Sequence, residues 1–276
     1  MNSCQRYFSA CALALLSQAA FGQLSAPPLS SDLQKFAVLS AGALTCTNSV
    51  FVGDVGAIGA FVPVNCTSTG AMPPASNQAA ANAVTDFQAA YSSLKGKPCT
   101  ATLPSTIAGP VTLTPGVYCT GAALTVAGTL TLDAQGNPNA VWIFQIGAAF
   151  TGTNFNVAMV NGGQACNVYW APGAGVTMTT SALKGNIVAG GATGAITLTG
   201  GTLVGRALAS VAVTTTDSLV GCGVPAAAGG SLSCKVEHKH HKGDKHRDHD
   251  DDDDDDDEYD NDRGHEKYPM GSKKGR

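Results

Sequence analysis

The side chains able to do chemistry fall into three groups. All six histidines lie between His238 and His265. Among them His238, His240, His241, His246 and His249 suit Zn²⁺, Ni²⁺ or Cu²⁺, and the Asp250–Asp257 run beside them suits Ca²⁺ weakly. Upstream of these histidines no Ser-His-Asp or Cys-His arrangement can be built. The acids there are Asp32, Asp54, Asp86, Asp133, Asp217 and Glu237. They are scattered, and Asp54 in VGDVG and Asp133 in LDAQGNP sit in turn-like settings where Asp bonds its own backbone. No glycine-rich phosphate loop is present. These absences argue against an enzyme and against any cofactor. The third group is threonine, which recurs as Thr-x-Thr in short alternating stretches such as VTMT, ITLT and FTGT.

Nine cysteines occur. Cys4 and Cys11 fall in a segment that reads as a secretory signal over residues 1–22: Arg6 gives the basic start, CALALLSQAAF the apolar core, and Ala20-Phe21-Gly22 the small-residue cleavage site. Export predicts a secreted, extracellular body in which disulfides replace thiolate metal sites. Seven cysteines remain after cleavage, so at least one is free or pairs between chains. Spacing does not fix the connectivity. Cys46–Cys66, Cys99–Cys119 and Cys166–Cys222 are the candidates that lie near one another and cover the body evenly. From Gln23 to Glu237 there are six Lys or Arg and six Asp or Glu, a neutral body with no basic patch for nucleic acid. No second segment is long and apolar enough to span a membrane after cleavage.

The elements that must position the threonines follow from periodicity. Ala80, Val84, Phe87, Tyr91 and Leu94 step by four and three, one helical stripe within a helix expected over about 75–95. Pro73 and Pro74 precede it, Ser76 can cap it, and Gly96 and Pro98 stop it. The rest of the body reads as short strands with glycine turns. Residues 167–185, 186–205 and 206–221 repeat a pattern of apolar strand, turn, Thr-rich strand and closing glycine. A period near 20 is a solenoid signature. Alternation then sets direction. Val176, Met178, Ile196, Leu198, Phe150, Val211 and Val213 are expected inward. Thr177, Thr179, Thr197, Thr199, Thr151, Thr153, Ala212 and Thr214 are expected outward. Upstream, VTLTPG exposes Thr112 and Thr114, and GTLTL exposes Thr129 and Thr131. The body is thus a β-solenoid over 23–234. Residues 235–276 are too charged and too poor in apolar groups to form a core, and a disordered His/Asp-rich tail is expected.

Stacked coils repeat hydroxyls at about 4.8 Å across strands and about 6.7 Å along them, spacings commensurate with the ice lattice. Methyl groups order nearby water and hydroxyls anchor it, while the stiff β-branched side chain loses little freedom on docking. An ice crystal surface is therefore the expected partner. The alternative is a cell-surface adhesin or matrix protein with the solenoid as rigid scaffold and the tail attached to a cell-wall polymer or a divalent metal. The stretches FAVLSAGALT, VFVGDVGAIG, TLTPGVYC, GTLTLDAQGNPNAVWIFQIG, NGGQACNVYWAPG, LKGNIVA and LVGRALA run in order over 36–222. In them the chain resembles the microbial ice-binding protein family. The resemblance implies a mainly β fold: a right-handed, discontinuous β-solenoid of roughly triangular section with one long helix packed alongside. It also implies that the N-terminal strands complete coils begun elsewhere, and that one flat face meets ice.

Overall fold

A computed structural model describes residues 29–72 and 78–222. The expected signal 1–22, the cap Ser76, Cys234 and the tail 235–276, with its candidate metal-binding histidines, lie outside the described residues. After a 3-10 turn at Leu33–Lys35, two short coils form. The first is β1 (Phe36–Ser40), β2 (Ala43–Thr47) and β3 (Val50–Val52); the second is β4 (Asp54–Ala57), β5 (Phe61–Val64) and β6 (Thr67–Ser68). Helix α1 (Gln78–Lys95) follows. Strands then resume as β7 (Ala101–Thr102), β8 (Thr106–Ala108), β9 (Val111–Leu113), β10 (Gly116–Thr120), β11 (Leu124–Asp133), β12 (Trp142–Ile146) and β13 (Phe150–Val160). The last six are β14 (Val168–Pro172), β15 (Val176–Lys184), β16 (Asn186–Ala189), β17 (Ile196–Val204), β18 (Ala207–Ala209) and β19 (Ala212–Gly221).

Two parallel sheets result. One has the order β4-β1-β18-β16-β14-β12-β10-β7, the other β5-β2-β19-β17-β15-β13-β11-β8. The coils are therefore not stacked in chain order. The N-terminal strands β1 and β2 lie directly against β18 and β19, so the first coil follows the last. Neighbouring coils are unequal in length. Val176 stands beside Ile196, twenty positions on, whereas Phe150 stands beside Val176, twenty-six on, and Ile196 beside Val213, seventeen on. Loops outside the strands absorb the difference, which keeps the register.

The long strands of the second sheet do not stay on one side. Each turns at a residue of positive φ: Gly128 in β11, Asn154 in β13, Thr180 in β15, Gly200 in β17 and Asp217 in β19, with Asn48 and Asn65 at the equivalent breaks after β2 and β5. Asn and Asp adopt this left-handed conformation more readily than other non-glycine residues. The stack thus has three sides: the first sheet, and the two halves of the second. At another corner Gly147, Gly173 and Gly191 stack so closely that a Cβ on each would lie 2.0–2.4 Å from a carbonyl oxygen of the coil beside it.

Strands of the first sheet are covered on both sides, which is why β1, β12, β14, β16 and β18 are buried at every position. Val38, Phe144, Trp170 and Ile187 point into the solenoid, where the Tyr118, Phe144 and Trp170 rings stack at 5.6 and 4.1 Å. Leu39, Ile143, Tyr169, Val188 and Leu208 point the other way, onto α1. The buried stripe of the helix is Ala80, Ala83, Phe87, Ala90 and Leu94. Val84 and Tyr91, expected at its centre, are half-buried at its margin. The small residues Ala83 and Ala90 take the central places and let the helix lie close to the sheet. Gln145 Nε2 donates to the Leu94 and Lys97 carbonyls at 2.9 and 2.6 Å, satisfying acceptors at the helix end.

Cys46–Cys66 and Cys99–Cys119 are disulfides, each bridging adjacent coils. The third expected pair does not form. Cys222 is a free thiol, while Cys166 is disulfide-bonded elsewhere.

Candidate functional site

The half of the second sheet before the left-handed corner carries one continuous array. Its first rank runs Thr106–Thr125–Thr151–Thr177–Thr197–Thr214–Thr45, each residue in register with the next on β8, β11, β13, β15, β17, β19 and β2. Two positions along each strand runs a second rank, Thr153–Thr179–Thr199–Thr216–Thr47. Beneath and between the ranks Leu44, Cys46, Val213, Ile196, Leu198, Val176, Met178, Phe150, Leu124 and Val126 fill the core. Alternation alone produces this division, since successive side chains leave a strand on opposite sides.

Thr151, Thr153, Thr177, Thr179, Thr197, Thr199 and Thr214 stand in the array as alternation predicts. Thr45, Thr47, Thr106, Thr125 and Thr216 complete it and were not anticipated. Thr45 and Thr47 flank Cys46, whose identity hides an inward position, and Thr216 is masked by the run Thr214-Thr215-Thr216. Four expected members lie elsewhere. Gly128 turns β11 onto the next side, so Thr129 pairs with Asn156, and Thr131 with Thr112 and Ala158. Thr114 follows the end of β9, where its carbonyl accepts from the Tyr118 hydroxyl at 2.7 Å. Val211 also departs from expectation. It is 41% exposed at the corner before β19 begins, with its carbonyl against Gly42. Ala212 pairs with Ala43 one step ahead of the first rank and does not interrupt it.

Gly152, between Thr151 and Thr153, points inward, where a Cβ would lie 2.6 Å from Met178 Sδ and 2.9 Å from Val126 Cγ2. The missing side chain there makes room for Met178 and leaves both outward threonines in place. On the far side of the second rank, Asn65 Nδ2 donates to Asn48 Oδ1 and Asn48 Nδ2 to Asp217 Oδ1, both at 3.2 Å. These side-chain bonds tie three successive coils at the corner and hold the rank beside them in line.

Neither rank contains a charged side chain. The resolved titration shifts lie away from the array: burial pushes the Tyr169 phenol up to about 12 and the Cys222 thiol up, and lowers Lys95 and Lys184. Each described carboxylate has a local partner. Asp32 accepts from Lys35, Asp54 from the Ala71 amide, Asp86 from Ser30, Asp133 from Asn161 and the Gln135 amide, and Asp217 from Asn48. Among the described residues no three His, Cys, Asp or Glu side chains gather into a group able to hold a metal, and no helix is long and apolar enough to cross a membrane.

Comparison with known proteins agrees with this geometry. The family model described as Ice-binding-like matches residues 22–220. A protein of Nostoc sp. named "Ice-binding protein" is 35% identical over 195 residues, which is 66% of this chain and 69% of that protein. Among solved structures, the ice-binding protein from an Antarctic Flavobacteriaceae bacterium superposes with a TM-score of 0.66 at 35% identity. The match covers 74% of this chain and 49% of that one, so this chain spans about half of that relative. The ice-binding protein 1 domain of Shewanella frigidimarina matches with a TM-score of 0.60 at 28% identity, covering 71% of this chain and 97% of that domain. Parallel solenoid sheets, a helix laid along one of them and a family match over most of the sequence place this chain in the Ice-binding-like family.

Proposed function

We propose that this protein is a secreted, non-catalytic ice-binding protein that adsorbs to ice through the two threonine ranks and so restrains crystal growth and recrystallisation. One observation carries the reading: threonines in unbroken register across seven strands, with no charge among them. Neighbours in a rank repeat at about 4.8 Å, and the two ranks stand about 6.7 Å apart. Each threonine offers a methyl group that orders water and a hydroxyl that anchors it. The β-branch limits side-chain rotation, so docking orders little that was free. The two disulfides suit an oxidising compartment, which supports export. Right-handed coiling follows the chirality rule for parallel crossovers.

Thermal hysteresis and recrystallisation assays test the proposal. Thr197→Tyr places a ring in the middle of the first rank. It should abolish most activity while changing stability by no more than about 0.5 kcal/mol, as outward substitutions usually do. Thr129→Tyr, on the neighbouring side, should leave activity intact. Full activity in Thr197→Tyr, or a wild-type protein that never shapes ice, would refute the assignment.

A further inference from the structure

The threonine ranks do not end where the threonines end. β5 is the outermost strand of its sheet, and its register places Val62 beside Thr45 and Val64 beside Thr47. The first rank therefore gains an eighth member and the second a sixth, each with the same β-branched shape, in which a methyl replaces the hydroxyl. Val62 is 49% exposed and Val64 47%. At the opposite end the second rank stops. A bulge between Val126 and Gly128 breaks the register of β11 against β13, and the outward positions there are Ala127 and Ala108, which pair with each other. The array is thus wide at the β5 end and narrow at the β8 end.

Two large apolar side chains on an exposed edge strand are a liability that proteins usually remove with lysine or another charge. Here the edge is blunted by other means: Pro63, between the two valines, has no N–H to offer a new strand. Charge stays out of the outward row itself, as it does from every row of threonines. The other half of the same sheet follows no such restriction, since Lys184 lies on it in β15.

We infer that Val62 and Val64 are ice-contact residues, a hydroxyl-free row that extends the docking surface by its methyl groups alone. The inference rests on the proposed ice adsorption and deepens it. The row orders interfacial water by shape and contributes no anchoring hydrogen bond. A charge there would have to be desolvated on docking, at a cost the bland methyl does not incur.

The test uses the full chain, with a thermal melt on every variant. Val62→Lys/Val64→Lys should lower thermal hysteresis by roughly twofold or more, given the cost of desolvating charge. Val62→Ser/Val64→Ser, which keeps the row neutral and small, should lower it as well, and serves if the lysine variant does not fold. Val62→Thr/Val64→Thr should match or exceed wild type. Val50→Lys, at a position equally exposed (44%) but past the corner, should change nothing. Undiminished activity in the lysine and serine variants, while Thr197→Tyr is inactive, overturns the role of the valines and leaves the threonine face standing. If Thr197→Tyr is fully active too, the parent reading itself has failed. A change in sedimentation without a change in hysteresis assigns the valines to self-association and also overturns the inference.

Discussion

Directly under the threonine array sits a threonine that does not belong to it. Thr215 points inward between Leu198 and Cys46 in neighbouring coils and is fully buried. Its hydroxyl has no hydrogen-bond partner. A buried hydroxyl without a partner forfeits its hydration, whereas a methyl of the same shape would not. Thr215→Val should therefore raise stability by about 1 kcal/mol, read as a higher melting temperature. Ice activity should stay unchanged, because Thr214 and Thr216 keep their outward places. The neighbouring residues Ser181, Ser218 and Ser49 show how an inward hydroxyl is normally accommodated. They donate to Thr179, Thr216 and Thr47 carbonyls two residues back, at 3.0, 2.9 and 2.9 Å.

At the scale of elements, the turning point of each long strand governs which threonines share a face. In β17 this point is Gly200-Gly201, with φ of +67° and +89°. A Cβ at Gly201 would lie 2.2 Å from the Ser181 carbonyl oxygen, and the backbone there is already left-handed. Gly201→Ala should cost about 2 kcal/mol or more, measured by denaturant melt, because strain and overpacking act together. The same corner explains what the sequence could reveal. Strand alternation is local, so the outward direction of Thr151, Thr177 or Thr197 was legible from Phe150, Val176 and Ile196 beside them. Face membership is not local. GTLTL and FTGT alternate alike, yet Gly128 opens the first and Asn154 follows the second, so the two segments lie on different sides. Reading that distinction needs the phase of the coil as well as the period of the strand. The helix was legible because a four-three spacing has no β equivalent. Its centre shifted because alanines at 83 and 90 carry no hydrophobic signal strong enough to compete with Val84 and Tyr91.

For the whole molecule, the decisive joint is where the first coil meets the last. Arg206, 6% exposed, spans it. Its guanidinium donates to the Gln34 carbonyl at 3.2 and 2.7 Å and to Asn186 Oδ1 at 3.0 Å. Asn186 in turn donates to the Cys166 and Val168 carbonyls. Thus one residue links the N-terminal turn to two later coils. Arg206→Met keeps much of the apolar stem but leaves those acceptors without their donor, and should cost about 2–4 kcal/mol in a thermal or denaturant melt. A loss below about 0.5 kcal/mol would mean that the clasp contributes no more to stability than an ordinary surface contact. The out-of-order stacking also bears on how the protein is made. Thr45 and Thr214, neighbours in the first rank, are separated by almost the whole body of the sequence. A ribosome must therefore complete β19 before β2 can find it, so neither threonine rank can close at that seam until β19 has been made. Such late closure leaves the growing solenoid open for longer and makes the seam the slow, high-contact-order step of folding.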